Sequence, residues 1–201
     1  RVFVSESAAP AREAIRNYSA EHGLCTEFVP PLAGDAPLPG AHQKSNAALA
    51  VRLAQVLASL SETQIERGLA ATRWSGRLEV LSRDPLVVID VGHTPDGVIQ
   101  ALVGFQAMRG TRDAVLVCGV SADRDAGAIV ERLAPAFTMI ICVAAEHKGA
   151  PPAIIAAHAQ SANPLAEITV AESVADARRI ALEKARGGAI YVAGGLFLAA
   201  E

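Results

Sequence analysis

Asp90 closes the apolar run Leu86-Val87-Val88-Ile89 and is followed by Val91-Gly92-His93-Thr94-Pro95. An ionised carboxylate at the end of a buried strand needs a partner. Asp90 therefore reads either as the holder of a ligand hydroxyl, such as a ribose, or as an Asp bracing its own loop. His93 reaches the same loop as a hydrogen-bond donor, or satisfies a backbone carbonyl there. Arg77 stands at the start of a β-like run, Leu78 to Leu81. Its guanidinium suits bidentate contact with a phosphate, and a surface ion pair with Glu79 or Asp84 is the ordinary alternative. Two further polar clusters follow apolar runs: Ser121-Ala122-Asp123-Arg124-Asp125 and Glu146-His147-Lys148-Gly149. Upstream, His42-Gln43-Lys44-Ser45-Asn46 opens a helical pattern. Amides at a helix start can hold anions. Asn46 offers the donor and acceptor that an adenine edge requires, or caps its own helix.

The elements that must position these residues read most clearly after Gly76. A hairpin, Leu78 to Leu81 and Leu86 to Asp90, turns at Ser82-Arg83-Asp84-Pro85. Four β-like runs follow at Ala114 to Gly119, Met139 to Val143, Glu167 to Val170 and Ala189 to Ala193. Helical patterns at about 95–109, 124–134, 150–160 and 173–186 separate them. Near-continuous apolar strands alternating with helices predict an α/β fold: a mostly parallel, six-stranded Rossmann-like sheet covered on both faces. In such a sheet ligands gather at the carboxyl ends of the strands, which is where Asp90, His93, Thr94, Ser121, Asp123, Arg124 and Asp125 fall.

Before Gly76 the pattern is thinner. Val2 to Val4 and Leu24 to Val29 read as strands, and Ala11 to His22 as a helix stopped by Gly23. Pro30 to Gly40 is a loop, His42 to Leu60 a helix, and Ser61 the cap of a short helix to Leu69. These elements make a poor stand-alone core. With the start Arg-Val-Phe-Val, they are expected to be the tail of a domain that begins upstream. The expected division is 1–72 and 77–201, with the boundary near Thr72 to Gly76.

Composition excludes several classes. The 201 residues are 51% hydrophobic and 19% charged, with formal charge −3, so disorder and a basic nucleic-acid-binding face are both excluded. No apolar run approaches the roughly 18 residues of a membrane span. Cys25, Cys118 and Cys142 form no paired spacing, and the five histidines form no HxH or HxxxH pair. A disulfide framework and a zinc site are therefore not expected, and a reducing cytoplasm is. There is no GxxxxGK[ST] loop, no GxGxxG after a first strand, and no nucleophile elbow.

Taken in order, five stretches resemble folylpolyglutamate synthase/dihydrofolate synthase of the Mur ligase superfamily. They are Pro39-Gly40-Ala41-His42-Gln43-Lys44-Ser45-Asn46-Ala47-Ala48; Gly68-Leu69 with Trp74-Ser75-Gly76-Arg77-Leu78-Glu79; Asp90-Val91-Gly92-His93-Thr94-Pro95-Asp96-Gly97; Gly119 to Asp125; and Val192 to Leu198, which resembles a closing strand end. The resemblance implies a Mur ligase C-terminal domain preceded by the tail of a P-loop-type central domain. It also implies an enzyme in which ATP turns a carboxylate into an acyl phosphate that an amino acid attacks, glutamate adding to a folate. By position, Asn46 would meet adenine, Arg77 the phosphates and Asp90 the ribose, with His93 at the nucleotide or the reacting group. His42, Thr94, Ser121, Asp123, Arg124 and Asp125 would line the substrate cleft. ATP and Mg2+ are the implied cofactors, the magnesium ligands and phosphate loop lying upstream of Arg1. A cytoplasmic monomer with small-molecule substrates, inactive as this portion alone, is expected.

Departures from the family pattern are Thr94 for Asn, Ser75 for Pro, Arg124 for Lys, Gly195 for Ser, and Val91-Gly92 for Gly-Ala. The alternative they motivate is a stand-alone nucleotide-binding module that has lost catalysis. A dinucleotide-dependent oxidoreductase is disfavoured by the missing glycine fingerprint.

Overall fold

The computed structural model describes residues 1–200, which divide into two compact units between Arg73 and Trp74. In the first, β1 (Val2–Ser5) pairs in parallel with β2 (Thr26–Val29). A 3-10 segment, Glu6–Ala11, and helix α1 (Arg12–Glu21) connect them. Gly23, at φ +62°, ends that crossover where the sequence placed its stop. Helix α2 (His42–Leu57) follows the Pro/Gly-rich loop and ends three residues before the expected Leu60, because Ala58 is extended. Helix α3 (Glu62–Ala71) starts on a capping box: Ser61 Oγ accepts from Gln64 N–H while the Gln64 side chain accepts from Ser61 N–H. Arg52 binds both oxygens of Glu27 and, being hydrogen-bonded to it, holds that carboxyl below its ordinary range.

The second unit is a six-stranded sheet in the order β3-β4-β8-β5-β6-β7. Its strands are β3 (Glu79–Arg83), β4 (Leu86–Ile89), β5 (Ala114–Cys118), β6 (Met139–Cys142), β7 (Glu167–Val170) and β8 (Ala189–Ala193). Every pair is parallel except the β3–β4 hairpin, whose two turn residues are Asp84 and Pro85. Side chains alternate across a strand, so β4, β5, β6 and β8 each feed two cores. Val88, Leu116, Ile140 and Tyr191 face α4 (Pro95–Arg109), α5 (Ala126–Leu133) and α6 (Pro152–Ala162). Val115, Val117, Ile141 and Ile190 face α7 (Val174–Ala185) and α8 (Leu196–Ala200). The mostly parallel sheet with helices on both faces is thus present.

Two expectations need correction. Leu78 is not in β3; it lies in the preceding turn at φ +48°. The stretch Val192 to Leu198 is not one strand end, because β8 stops at Ala193 and Gly194, at φ +114°, turns the chain into α8. Glycine is required at that turn: a Cβ on Gly194 would lie 2.6 Å from Gly119 O.

Candidate functional site

The strands β4, β5, β6 and β8 run parallel, so their carboxyl ends form one edge of the second unit. Glu79, the first residue of β3, lies opposite Ile89, the last of β4. Residues just before β3 therefore stand at that same edge. This is what brings Arg77 beside the loop that follows β4.

The contact is specific. Trp74 to Leu78 forms a turn in which Gly76 (φ +73°) and Leu78 (φ +48°) flank Arg77 on either side. Glycine is needed at 76, since a Cβ there would lie 2.5 Å from Val91 Cγ1. Val91 N–H donates to Gly76 O at 2.8 Å. Leu78 N–H donates to Asp90 Oδ2 at 3.1 Å, and Gly92 N–H to Asp90 Oδ1 at 2.7 Å. Asp90 is only 3% exposed. Thus each carboxylate oxygen of Asp90 takes a backbone amide, one from the Arg77 turn and one from the His93 loop.

His93 is exposed, with Nδ1 3.2 Å from Val91 O. A carbonyl only accepts, so this bond puts the proton on Nδ1 and leaves Nε2 as an acceptor. Thr94 Oγ1 accepts from Gly97 N–H at 3.2 Å and caps α4, with Pro95 at the first helical position. Arg77 is half-buried, and among the described residues neither Glu79 nor Asp84 pairs with its guanidinium. Glu79 Oε2 instead accepts from Gly76 N–H at 2.7 Å. Arg77, Asp90, His93 and Thr94 therefore form one constellation.

The next carboxyl-end loop holds Ser121, Asp123, Arg124 and Asp125. Ser121 is buried and bridges to Gly149, and Ala122 N–H donates to Lys148 O at 2.7 Å. Asp125 Oδ1 accepts from Ala128 N–H at 2.9 Å, which makes it the cap of α5. Asp123 and Arg124 are exposed and only loosely paired at 3.9 Å. Gly195 lies alongside: a Cβ there would be 3.4 Å from Ser121 Oγ. Sequence reasoning missed the aromatic neighbour of this edge, since Phe197 of α8 meets the His147 ring edge-on with centroids 4.7 Å apart. The apolar composition of 196–200 could have signalled a helix packing there.

His42 and Asn46 belong to the first unit. The Gln43 amide lies 3.1 Å from His42 Nε2, and Asn46 Nδ2 donates to Gln43 Oε1 at 3.0 Å. Asn46 is exposed as the fifth residue of α2, whose cap residue Ala41 offers no side-chain acceptor. Among the described residues no group of three or more His, Cys, Asp or Glu is placed to hold a metal ion. Cys118 and Cys142 sit in register at the ends of β5 and β6, where burial pushes both thiols up, Cys142 to about 12. Neither is a nucleophile at neutral pH.

The pattern of Mur ligase, glutamate ligase domain, matches residues 76–196, the whole of the sheet and its site loops. The chain belongs to that family. Among curated relatives, this Mur ligase domain chain is 34% identical over 131 residues to a folylpolyglutamate synthase of Lacticaseibacillus casei, covering 63% of this chain and 29% of that one. It is 34% identical over 171 residues to a probable bifunctional folylpolyglutamate synthase/dihydropteroate synthase of Haloferax volcanii, covering 82% and 20%. Among solved structures, a Mycobacterium tuberculosis folylpolyglutamate synthase complexed with ADP and AMPPCP aligns with TM-score 0.83 at 22% identity, over 94% of this chain and 51% of that one. A bifunctional synthase of Yersinia pestis complexed with AMPPNP and a manganese ion aligns with TM-score 0.75 at 22% identity, over 93% and 48%. At that identity the structures establish a shared fold. The Mur ligase domain chain spans under a third of these curated relatives and about half of these solved ones.

Proposed function

We propose that this chain is the C-terminal part of an ATP-dependent ligase that adds an amino acid, glutamate, to a folate-like carboxylate in the cytoplasm. In this reading 1–72 is the tail of the nucleotide-binding central domain, and 77–201 is the Mur ligase C-terminal domain. The observation that carries it is Arg77. Arg77 is half-buried, stands in a turn at the carboxyl edge of a parallel sheet and has no carboxylate partner among the described residues, which suits a cation placed for a bound anion. Family membership and the nucleotides bound by the solved relatives support reading that anion as a phosphate.

The chemistry follows from charge. A carboxylate oxygen takes the γ-phosphoryl group of ATP, giving an acyl phosphate and ADP. The incoming amine then attacks the carbonyl carbon, phosphate leaves, and the amine sheds a proton. Arg77 stabilises charge on the phosphoryl oxygens in both steps. Nε2 of His93, with its Nδ1 proton engaged by Val91 O, is oriented to accept a hydrogen bond from substrate. Asn46 meets the adenine with the amide edge that Gln43 leaves open, and the exposed Asp123 and Arg124 face the substrate side of the next loop. Among the described residues no group of three or more His, Cys, Asp or Glu is placed to hold magnesium, and in this reading its ligands belong to the phosphate-binding part of the central domain.

The test is ATP-dependent addition of glutamate to dihydropteroate and to folate by the full-length protein. Arg77→Ala is expected to lower kcat/KM by about 100-fold, the usual cost of one lost charge-stabilising donor. An unchanged rate removes Arg77 from the phosphate. Nucleotide binding without ligation by the wild type would favour the second reading, a binding module, which the Gly195 and Thr94 departures motivate.

A further inference from the structure

We propose that Lys148 is a specificity-determining residue that takes the side-chain carboxylate of the incoming acidic amino acid, with the Phe197 ring as the shelf that aims it. This deepens the ligase reading and rests on it.

Three observations carry it. First, Lys148 is exposed yet left-handed, at φ +55°. Side chains other than glycine avoid that region, and residues held in it gather at ligand contacts. Its loop is fastened to the loop after β5: Ala122 N–H donates to Lys148 O at 2.7 Å, and Ala150 N–H to Val120 O at 2.8 Å. Gly149 completes the turn, since a Cβ there would lie 2.4 Å from Ala145 O. The backbone thus fixes where the lysine side chain starts. Second, Lys148 Nζ lies 5.9 Å from the centre of the Phe197 ring, and the His147 ring meets the same ring edge-on. An ammonium on an aromatic face keeps its N–H groups for an acceptor. Among the described residues no carboxylate forms an ion pair with it. Third, the ammonium leans the right way along the edge. The strands stand in the order β4-β8-β5-β6. Lys148 follows β6 and Phe197 lies in α8, after β8, so Nζ reaches across the end of β5 towards the β4 loop. One to two strand spacings, about 5–10 Å, then separate it from the His93 loop and the Arg77 turn. The amine and the side-chain carboxylate of glutamate are about 5 Å apart by standard bond lengths. One such molecule is long enough to rest its carboxylate on Lys148 while its amine faces the acyl phosphate at Arg77.

The experiment uses the full-length protein with Lys148→Gly and Lys148→Arg. Glycine adopts a left-handed φ without steric cost, so the urea midpoint of Lys148→Gly is expected to hold or rise. Its KM for glutamate is expected to rise by about 10-fold with kcat within about 3-fold, the mark of uniform binding removed. The KM for ATP is expected to stay within about 2-fold, and Lys148→Arg to keep the glutamate KM within about 3-fold of wild type. Four results would each overturn the proposal: an unchanged glutamate KM in Lys148→Gly, a rise that comes with a lower urea midpoint, an equal rise in the KM for ATP, or an equal rise in Lys148→Arg. A wild type that ligates nothing removes the ligase reading alone. Titration with glutarate, the dicarboxylate without the amine, then decides the subsite by itself. Saturable amide NMR shifts at Lys148 and Phe197 that vanish in Lys148→Gly support it, and their absence from the wild type overturns it.

Discussion

Tyr191 carries a hydroxyl into the centre of the second unit, in the middle of β8 and stacked on Phe105 at 4.4 Å. Burial, and then the nearby Asp90, push its phenol above the ordinary range, and the hydroxyl has no hydrogen-bond partner. A buried group left unsatisfied costs more than its removal. Tyr191→Phe keeps the ring stack and is expected to raise stability by up to about 1 kcal/mol, read as a higher urea midpoint at constant m-value. A loss of stability would mean that a bound water satisfies the oxygen. Thr94 makes a related point about the departures from the family pattern. Threonine and asparagine both cap helices, and Thr94 Oγ1 caps α4 here. That substitution therefore leaves the entry to α4 intact.

At the scale of elements, β5 and β6 end in register on two buried thiols, Cys118 and Cys142. Burial is the largest cause of both upward shifts, and Cys142 reaches about 12 from an ordinary 9.0. The sign follows directly. The folded chain keeps both protons above pH 9 while the unfolded chain loses them, so folding stability falls as pH rises from about 9 towards 12. The limiting slope is about 1.4 kcal/mol per pH unit for each thiol. Urea midpoints between pH 7 and pH 11 should fall for the wild type and fall less steeply for the Cys118→Ala, Cys142→Ala double variant. Equal slopes would remove the thiols as the cause. Elements such as these were legible because their ends are marked by local chemistry. Thr94-Pro95 and Gly110 bound α4 at Pro95–Arg109, and β7 and β8 fall at Glu167–Val170 and Ala189–Ala193 as read from the sequence. Helix α8 was not legible, since Leu196-Phe197-Leu198-Ala199-Ala200 after two glycines suits a strand as well as a helix. At the site, the sequence showed that Asp90 needed a partner. It could not show that the partner is the amide of Leu78, because nothing in a leucine announces a left-handed turn twelve residues upstream.

The whole molecule is uneven in how it is held together. Apart from Val29, Ala47 and Ala48, the buried apolar side chains lie in the second unit, on the two faces of its sheet. The first unit keeps Tyr18, Leu24, Leu53, Val56, Leu57 and Leu60 exposed, with Leu57 at 86%. Its sheet is a single parallel pair, an arrangement that is marginal without further strands or a covering helix layer. At about 25 cal/mol per Å² of apolar area removed from water, a core of one valine and two alanines cannot offset the ordering of 73 residues. The second unit has a core on each face of its sheet, and its helices α4, α5 and α7 are capped by Thr94, Asp125 and Ser173. Residues 74–201 expressed alone are expected to unfold in one cooperative transition within a few degrees of the 201-residue chain. Residues 1–73 alone are expected to show no cooperative transition in calorimetry and rapid cleavage by trypsin at Arg12, Arg16 and Arg52. A sharp transition in 1–73 would mean that α2 and the β1–β2 pair are self-sufficient. The same outcome would remove the main physical argument that this segment completes its core against another part of a longer protein.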